Sequence, residues 1–119
     1  MTEVRVLFRS GTICGVEMSG HTGYDEHGRD IVCAALSTLI QTLETGLADV
    51  LSLKGVRSEV REEQGYMSLY WDSYDDPMAG IIADTVVRVL GSIEKSYPSY
   101  VKLTEVKLND DDQSSDIRS

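Results

Sequence analysis

The chain has few cysteines and prolines, and its basic residues are outnumbered by acidic ones. Of 119 residues, two are cysteine and two are proline, and 11 Lys and Arg face 20 Asp and Glu, for a net charge of -9. The shortage of cations argues against direct binding to nucleic-acid phosphates and favours a basic partner. Cys14 and Cys33 lack the spacing of metal ligands, and in a reducing compartment we do not expect them to form a structural disulfide.

Long apolar runs are also missing from the sequence. No run of apolar residues approaches the roughly 20 that a membrane-spanning helix needs. The N-terminus carries Glu3 and Arg5, where a signal peptide would have its apolar centre. We therefore expect a cytoplasmic protein with no membrane segment, of a length suited to one domain.

Two kinds of apolar spacing divide the chain into strands and helices. Alternating apolar and polar residues predict strands, and apolar residues that recur every three or four positions predict helices. The predicted strands cover 4–9, 13–18, 55–63, 65–72 and 100–108. The first predicted helix begins at Asp30 and runs for about 20 residues, with Gly46 as a point of bending or fraying. The second begins at Asp75-Asp76-Pro77, an aspartate cap followed by a proline at the first helical position.

The resulting order is strand-strand-helix-strand-strand-helix-strand. Strands grouped in hairpins favour an α+β fold, a two-layer domain with a mostly antiparallel five-stranded sheet and two helices on one face. We expect a single domain over residues 1–108. The acidic, polar segment 109–119 is predicted to be a disordered tail.

The segment from Ser19 to Ser37 carries a histidine and a cysteine in a pattern suited to nucleophilic chemistry. His21 lies in a loop with Gly20, Gly23 and Gly28, whose backbone freedom would let the loop fold back over the start of the helix. Cys33 is predicted in the first turn of that helix, where a thiolate is stabilised and unpaired amides could hold an oxyanion.

Two further residues could support this pair. Asp30 as the helix cap could accept a hydrogen bond from the amide of Cys33, and Ser37, four residues after Cys33, would share its helix face. Each of these residues also has a simpler interpretation: Cys33 as a core side chain, Asp30 as a cap only, and Ser37 as a bystander.

Other residues left open alternatives of the same kind. His27 is a second candidate base, although its acidic neighbours suggest a solvated loop residue. Cys14 is best explained as a small packed side chain in a strand. Four aromatic residues could line a peptide groove or simply pack on the sheet; they are Tyr66, Tyr70, Trp71 and Tyr74.

The residues around His21 and Cys33 form two specific segments. They read Ser19-Gly20-His21-Thr22-Gly23-Tyr24 and Gly28-Arg29-Asp30-Ile31-Val32-Cys33-Ala34-Ala35-Leu36-Ser37. This pattern closely resembles the signature of the ribosomal-processing cysteine proteases called Prp. The order of predicted elements is similar over nearly the whole chain, and only the acidic tail is extra.

The resemblance implies a small homodimeric α+β protease that needs no metal or organic cofactor. It implies that His21 is the catalytic histidine, that Cys33 is the nucleophile, and that Asp30 and Ser37 are supporting residues. The implied substrate is a ribosomal protein precursor, the large-subunit protein L twenty-seven, from which the N-terminal extension is removed through an acyl-enzyme intermediate. A phage protein carrying a related extension is the other possible substrate.

Two other functions compete with proteolysis. The net charge of -9 and the small size would suit a non-enzymatic acidic module that binds a basic ribosomal protein. A thiol redox protein using Cys14 and Cys33 is the weaker alternative, because the two cysteines lack the Cys-x-x-Cys spacing.

Overall fold

The computed structural model describes residues 1–20 and 27–109, with residues 27–30 described by their backbone. Within these residues, strands and α-helices follow one another in the predicted order. They are β1 (Thr2–Arg9), β2 (Thr12–Ser19), α1 (His27–Glu44), β3 (Val56–Arg61), β4 (Tyr66–Trp71), α2 (Pro77–Ser96) and β5 (Val101–Leu108). The prediction of an α+β fold is confirmed.

The strands form one sheet with the spatial order β3-β4-β2-β1-β5. The pairs β1/β2, β2/β4 and β3/β4 are antiparallel, as predicted. The fourth pair corrects the prediction, because β5 lies parallel to β1, with Thr2 opposite Val101 and Arg9 opposite Leu108. The physical reason is that each helix is a crossover connection: it carries the chain back to the end of the sheet where the preceding strand began, so the next strand runs parallel to that strand.

Both helices pack on the same face of the sheet. The strand residues in the main core occupy alternate positions, so their side chains point to one side. This helix-covered face contributes Val4, Val6, Val16, Met18, Met67, Leu69 and Trp71; α1 with the turn that follows it contributes Val32, Leu36, Ile40, Leu43 and Leu47; and α2 contributes Ala79, Ala83, Val86 and Leu90. The predicted two-layer arrangement is confirmed.

The first helix changes its winding near Gly46, where the sequence predicted a bend. The α-helix ends at Glu44 and continues as one π-helical turn over Thr45–Val50. A side chain at Gly46 would lie 3.2 Å from Ile82 Cγ2, so the missing side chain permits close packing on α2. The wider turn keeps Leu47 fully buried and leaves Val50 73% exposed.

The start of α2 follows the local prediction. Asp76 has extended backbone angles, and its Oδ1 accepts hydrogen bonds from the amides of Met78 (2.9 Å) and Ala79 (3.2 Å). Pro77 is the first helical residue, where its lack of an amide hydrogen costs nothing. The helix ends at Ser96, and the amide of Tyr97 donates to the carbonyl of Ile93.

A β-bulge in β2 places Cys14 on the face of the sheet opposite the helices, which we call the open face. Leu7 pairs with Gly15 and Phe8 pairs with Ile13, so Cys14 is the extra residue in the ladder. Cys14 therefore packs with Leu7 and Tyr70, while Ile13 points into the main core. The sequence predicted an uninterrupted strand here and gave no sign of the bulge.

The open face is organised by a buried carboxylate. Glu17 is 8% exposed and accepts hydrogen bonds from Tyr70 Oη and, at 2.8 Å, from Arg5 Nε. A side chain at Gly15 would lie 2.7 Å from Tyr70 Cδ1, so this glycine makes room for the tyrosine ring. Burial and the hydrogen bond to Glu17 raise the pKa of Tyr70 above its usual range.

The segment Ile31–Val50 is long and apolar enough to cross a membrane by length and composition alone, with a mean hydropathy of 1.4. This qualifies the expectation that no segment approaches membrane-spanning length. Leu36, Leu43 and Leu47 in this segment are fully buried against the sheet and α2. These residues form the side of the helix that packs in the core.

The end of the predicted domain lies at the edge of the described residues. Asn109, which the prediction assigned to the tail, accepts a hydrogen bond through its carbonyl from Arg9 Nη1 at 2.7 Å. The predicted tail beyond Asn109 lies outside the described residues. The single domain over 1–108 and the disordered tail stay predictions.

Replacing Tyr70 with phenylalanine should lower the free energy of unfolding by about 1–3 kcal/mol, because Glu17 would lose a donor in a place that water reaches poorly. Urea denaturation followed by circular dichroism measures the change. The matched control is Tyr97→Phe, since Tyr97 is 43% exposed. An unchanged urea midpoint for Tyr70→Phe would show that the hydrogen bond to Glu17 does not stabilise the fold.

Candidate active site

Cys33 lines a cleft at one end of the sheet. Its side chain is partly exposed and lies between the start of β1, the end of β2 and the β3-β4 hairpin. The cleft has a volume of ≈ 210 Å³. Its described lining residues are Thr2, Met18, Gly20, Cys33, Ser37, Val60, Glu62, Gly65, Tyr66 and Met67. Because most of these side chains are apolar, the cleft suits an apolar segment of a peptide.

Among the described residues, Thr2 is the hydrogen-bond partner of the Cys33 thiol. Thr2 Oγ1 lies 3.3 Å from Cys33 Sγ, within hydrogen-bonding distance for a sulfur atom. Thr2 is 1% exposed, and its amide donates to the carbonyl of Tyr100 at 2.8 Å. Thr2 was not predicted as a site residue, because Cys33 lies 31 positions away in the sequence and no motif joins the two residues.

Gly20 packs directly against Thr2. A side chain at Gly20 would lie 2.6 Å from Thr2 Oγ1 and 3.1 Å from Thr2 Cα, distances that real side chains do not tolerate without movement. The amide of Gly20 donates to the carbonyl of Gly65 at 3.1 Å, which links β2 to the β3-β4 turn. Gly20 was predicted in a loop; in the structure it lies directly after β2, and its missing side chain leaves the space that Thr2 occupies.

The start of α1 corrects part of the predicted site. The helix begins at His27, so Asp30 is its fourth residue and does not cap it. Cys33 lies in the second turn, where its amide belongs to the regular helical hydrogen-bond pattern and is not free to hold an oxyanion. Gly28 and His27, both predicted in the loop, are helical.

Of the remaining predicted site residues, Ser37 lies in the cleft, and two others belong to the part of the chain that the structure does not describe. Ser37 lines the cleft with Cys33, which confirms that the two share a helix face. His21 and Gly23 lie outside the described residues. The pairing of His21 with Cys33 therefore stays a prediction, as do the supporting roles of Asp30 and Ser37.

The two cysteines lie on different sides of the sheet. Cys14 packs on the open face beside Leu7, whereas Cys33 belongs to the helix layer and contacts Thr2, at the other end of β1. The five residue steps along β1 from Thr2 to Leu7 span about 17 Å. A disulfide needs Cα atoms within about 7 Å of each other, so this placement argues against the redox alternative.

The four aromatic candidates have separate positions. Trp71 is buried in the main core, Tyr70 is buried on the open face, and Tyr74 packs against both clusters. Tyr66 is the aromatic residue that lines the cleft, and the Arg61 guanidinium lies 4.8 Å from its ring centroid. Of the four aromatic residues, Tyr66 therefore lines a cleft, and the other three pack on the sheet.

A wider depression lies at the other end of the sheet, between the β1-β2 turn and β5. It has a volume of ≈ 590 Å³ and is lined by Phe8, Ser10, Gly11, Glu105, Lys107, Leu108 and Asn109. It lacks a cysteine or histidine among these residues. The cleft at Cys33, which joins a partly exposed thiol to apolar walls, is the better candidate for a catalytic site.

Comparison with known proteins identifies the family. The family model for cysteine protease Prp matches residues 1–102. The chain belongs to the Prp family. It is 26% identical over 98 residues to the ribosomal processing cysteine protease Prp of Bacillus subtilis (strain 168), a match that covers 77% of this chain and 85% of the relative.

Solved structures agree with this assignment. A Streptococcus mutans protein superposes with a TM-score of 0.82 at 26% identity, covering 91% of this chain and 96% of that protein. The essential ribosomal processing protease Prp from S. aureus, solved with a substrate peptide, superposes with a TM-score of 0.80 at 23% identity, covering 88% and 99%. The second likeness shows the shared Prp fold.

Family membership decides between the competing functions. The chain is a cysteine protease of a ribosomal-processing family, and the non-enzymatic alternative loses its support. A cysteine protease requires a thiolate nucleophile that substrate can reach. Of the two cysteines, Cys33 is partly exposed and Cys14 is buried.

Iodoacetamide at neutral pH should modify Cys33 at least about tenfold faster than Cys14 in the folded protein. Burial raises the pKa of the Cys14 thiol, and the nearby Arg9 guanidinium lowers it only in part, so Cys14 stays protonated. Peptide mass mapping over time measures both rates. In denaturant the two rates should converge, and equal rates in the folded state would contradict the placement of Cys14.

Replacing Gly20 with alanine should lower the free energy of unfolding by about 1–3 kcal/mol, because the added side chain overlaps Thr2. Gly80→Ala is the control, since a side chain there meets nothing within 4 Å and alanine favours the helix. Thermal unfolding of both variants measures the difference. A Gly20→Ala protein as stable as the wild type would show that Thr2 is not closely packed.

Proposed function

We propose that this cysteine protease uses Cys33 as its nucleophile and His21 as its proton carrier. The observation that carries the proposal is the partly exposed Cys33 thiol on the wall of an apolar cleft. The sequence places His21 directly after Gly20, which lines the same cleft.

The proposed reaction has two steps that share one histidine. The Cys33 thiolate attacks the carbonyl carbon of the scissile peptide bond, and the carbon–nitrogen bond breaks as His21 donates a proton to the departing amine. A thioester then joins Cys33 to the N-terminal part of the substrate. His21 next removes a proton from water, the hydroxide adds to the thioester carbon, and the Cys33 thiolate leaves.

The proposed substrate is a ribosomal protein precursor with an N-terminal extension, the large-subunit protein L twenty-seven. The B. subtilis relative is named as a ribosomal processing protease, and the S. aureus protease was solved with a substrate peptide and with a covalently linked product peptide. An acidic chain with a net charge of -9 would also attract a basic precursor.

We further propose that the enzyme is a cytoplasmic homodimer that acts without a cofactor, as the family resemblance implies. A ribosomal protein precursor is present where ribosomes assemble, which supports the location. Sedimentation equilibrium would report the mass in solution, and a monomer across the working concentration range would contradict the dimer.

Substituting Cys33 or His21 with alanine should reduce kcat/KM for a peptide spanning the cleavage junction by at least about 10³-fold, because each substitution removes one member of a unit that acts together. Cleavage is followed by mass spectrometry of the two products. Cys14→Ala is the matched control and should keep near wild-type activity, since Cys14 lies on the open face.

The same assay separates the chemistry from the choice of substrate. A peptide with the junction residues in scrambled order, and the full-length precursor, are compared with the junction peptide. Cleavage by Cys33→Ala at the wild-type rate would refute the nucleophile. Inactivity of the wild type towards the precursor, together with cleavage of other peptides, would refute the substrate.

A further inference from the structure

We propose that Thr2 is a positioning residue for the nucleophile: its hydroxyl donates a hydrogen bond to the Cys33 thiolate and holds Sγ at the wall of the cleft. This inference rests on the proposed function, since it takes Cys33 to be the nucleophile. It adds a residue from β1 to a site that the sequence pattern confined to residues 19–37.

The geometry of the contact fits a hydroxyl acting on a sulfur atom. Thr2 Oγ1 lies 3.3 Å from Cys33 Sγ, and either atom can donate in the neutral pair. Once the thiol is ionised it can only accept, so the hydroxyl must be the donor. A hydrogen bond to an ionised partner is stronger than one between neutral groups, so this contact holds Sγ more firmly once the nucleophile has formed.

The surroundings of Thr2 keep water from replacing this contact. Thr2 is 1% exposed, and among residues 1–20 and 31–109 its hydroxyl has no second side-chain partner. Removing the hydroxyl therefore leaves the sulfur without a substitute donor from this side. The contact is isolated from solvent on the Thr2 side and open to the cleft on the Cys33 side.

Three neighbours fix the position of the Thr2 side chain. Its amide donates to the carbonyl of Tyr100, its backbone pairs with Val101 in the parallel ladder, and Gly20 packs against its Oγ1 and Cα. Threonine is also β-branched, which restricts its χ1 rotation. The hydroxyl is thus held in place before substrate binds, so the reaction does not require a further loss of conformational entropy at Thr2.

The hydroxyl should act on the reactivity of Cys33 more than on substrate binding. It limits Sγ to the orientation that faces the cleft. This orientation changes the rate of attack by sulfur, so kcat should respond and KM should not.

The test compares two substitutions at one position. Thr2→Val keeps the shape and removes the hydroxyl, whereas Thr2→Ser keeps the hydroxyl and removes the methyl group. Thr104→Val on β5 is the matched control for loss of a partly buried threonine hydroxyl away from the cleft. Each variant is assayed for the iodoacetamide rate at Cys33, for kcat and KM on the junction peptide, and for thermal unfolding.

Thr2→Val should alkylate about tenfold more slowly than the wild type and lose about tenfold in kcat with KM unchanged. Thr2→Ser should stay within about twofold of the wild type in both rates, as should Thr104→Val. If Thr2→Val does not fold, Thr2→Ala removes the same hydroxyl and is judged by the same rates.

Two results would overturn the positioning role. One is a wild-type alkylation rate in Thr2→Val, and the other is an equal loss in Thr2→Ser, which would assign the effect to methyl packing. Because iodoacetamide needs no peptide site, either result can occur while Cys33→Ala stays inactive and the proposed function stands. Proteolysis that survives Cys33→Ala overturns the proposed function instead.

Discussion

The packing of α1 on the helix-covered face of the sheet is the interaction on which the rest of the structure depends. The fully buried leucines of this helix, Leu36 and Leu43, belong to one hydrophobic core with side chains from β1, β2 and β4. Burying one leucine side chain contributes about 1.5–3 kcal/mol, so this contact is a large share of the stability of a chain this size. The same contact fixes the rotation of α1 and thereby turns Cys33 towards the cleft.

The open face depends on a different kind of interaction. With no helix to cover it in the described residues, its central position is filled by Glu17, whose carboxylate bonds to Arg5 and Tyr70. A buried carboxylate is tolerable only when donors replace its lost water. Tyr70 in turn reaches Tyr66, with 3.4 Å between the hydroxyl oxygens, so the polar network ends at a wall of the cleft.

Local rules predicted the features that depend on neighbouring residues. The Asp76 cap, the two hairpins and the shared face of Cys33 and Ser37 follow from spacing of a few positions, and the structure confirms them. The parallel ladder between β1 and β5 joins the two ends of the described chain, and no local pattern specifies it. No local pattern specifies the bulge at Cys14 either, because it depends on Ile13 packing in the main core while Cys14 packs on the open face.

In the site, too, local features were predicted and long-range contacts were not. The signature identified the family and the cleft cysteine. The predicted start of α1, Asp30, lies three residues after the observed start at His27, and the contact of Thr2 with Cys33 was not predicted. A capping aspartate and an aspartate inside the first turn look alike in sequence, because both stabilise a helix N-terminus. The contact of Thr2 with Cys33 exists only after the sheet has brought β1 beside α1.

The parallel ladder gives the cleft a place in the order of folding. Thr2 belongs to the first described strand, and its backbone partners Tyr100 and Val101 lie at the start of the last described strand or directly before it. Contacts between distant parts of a chain form late in folding, because closing a long loop costs conformational entropy before the contact can stabilise the chain. The wall of the cleft that Thr2 forms is therefore completed only when nearly all of the described chain has been synthesised.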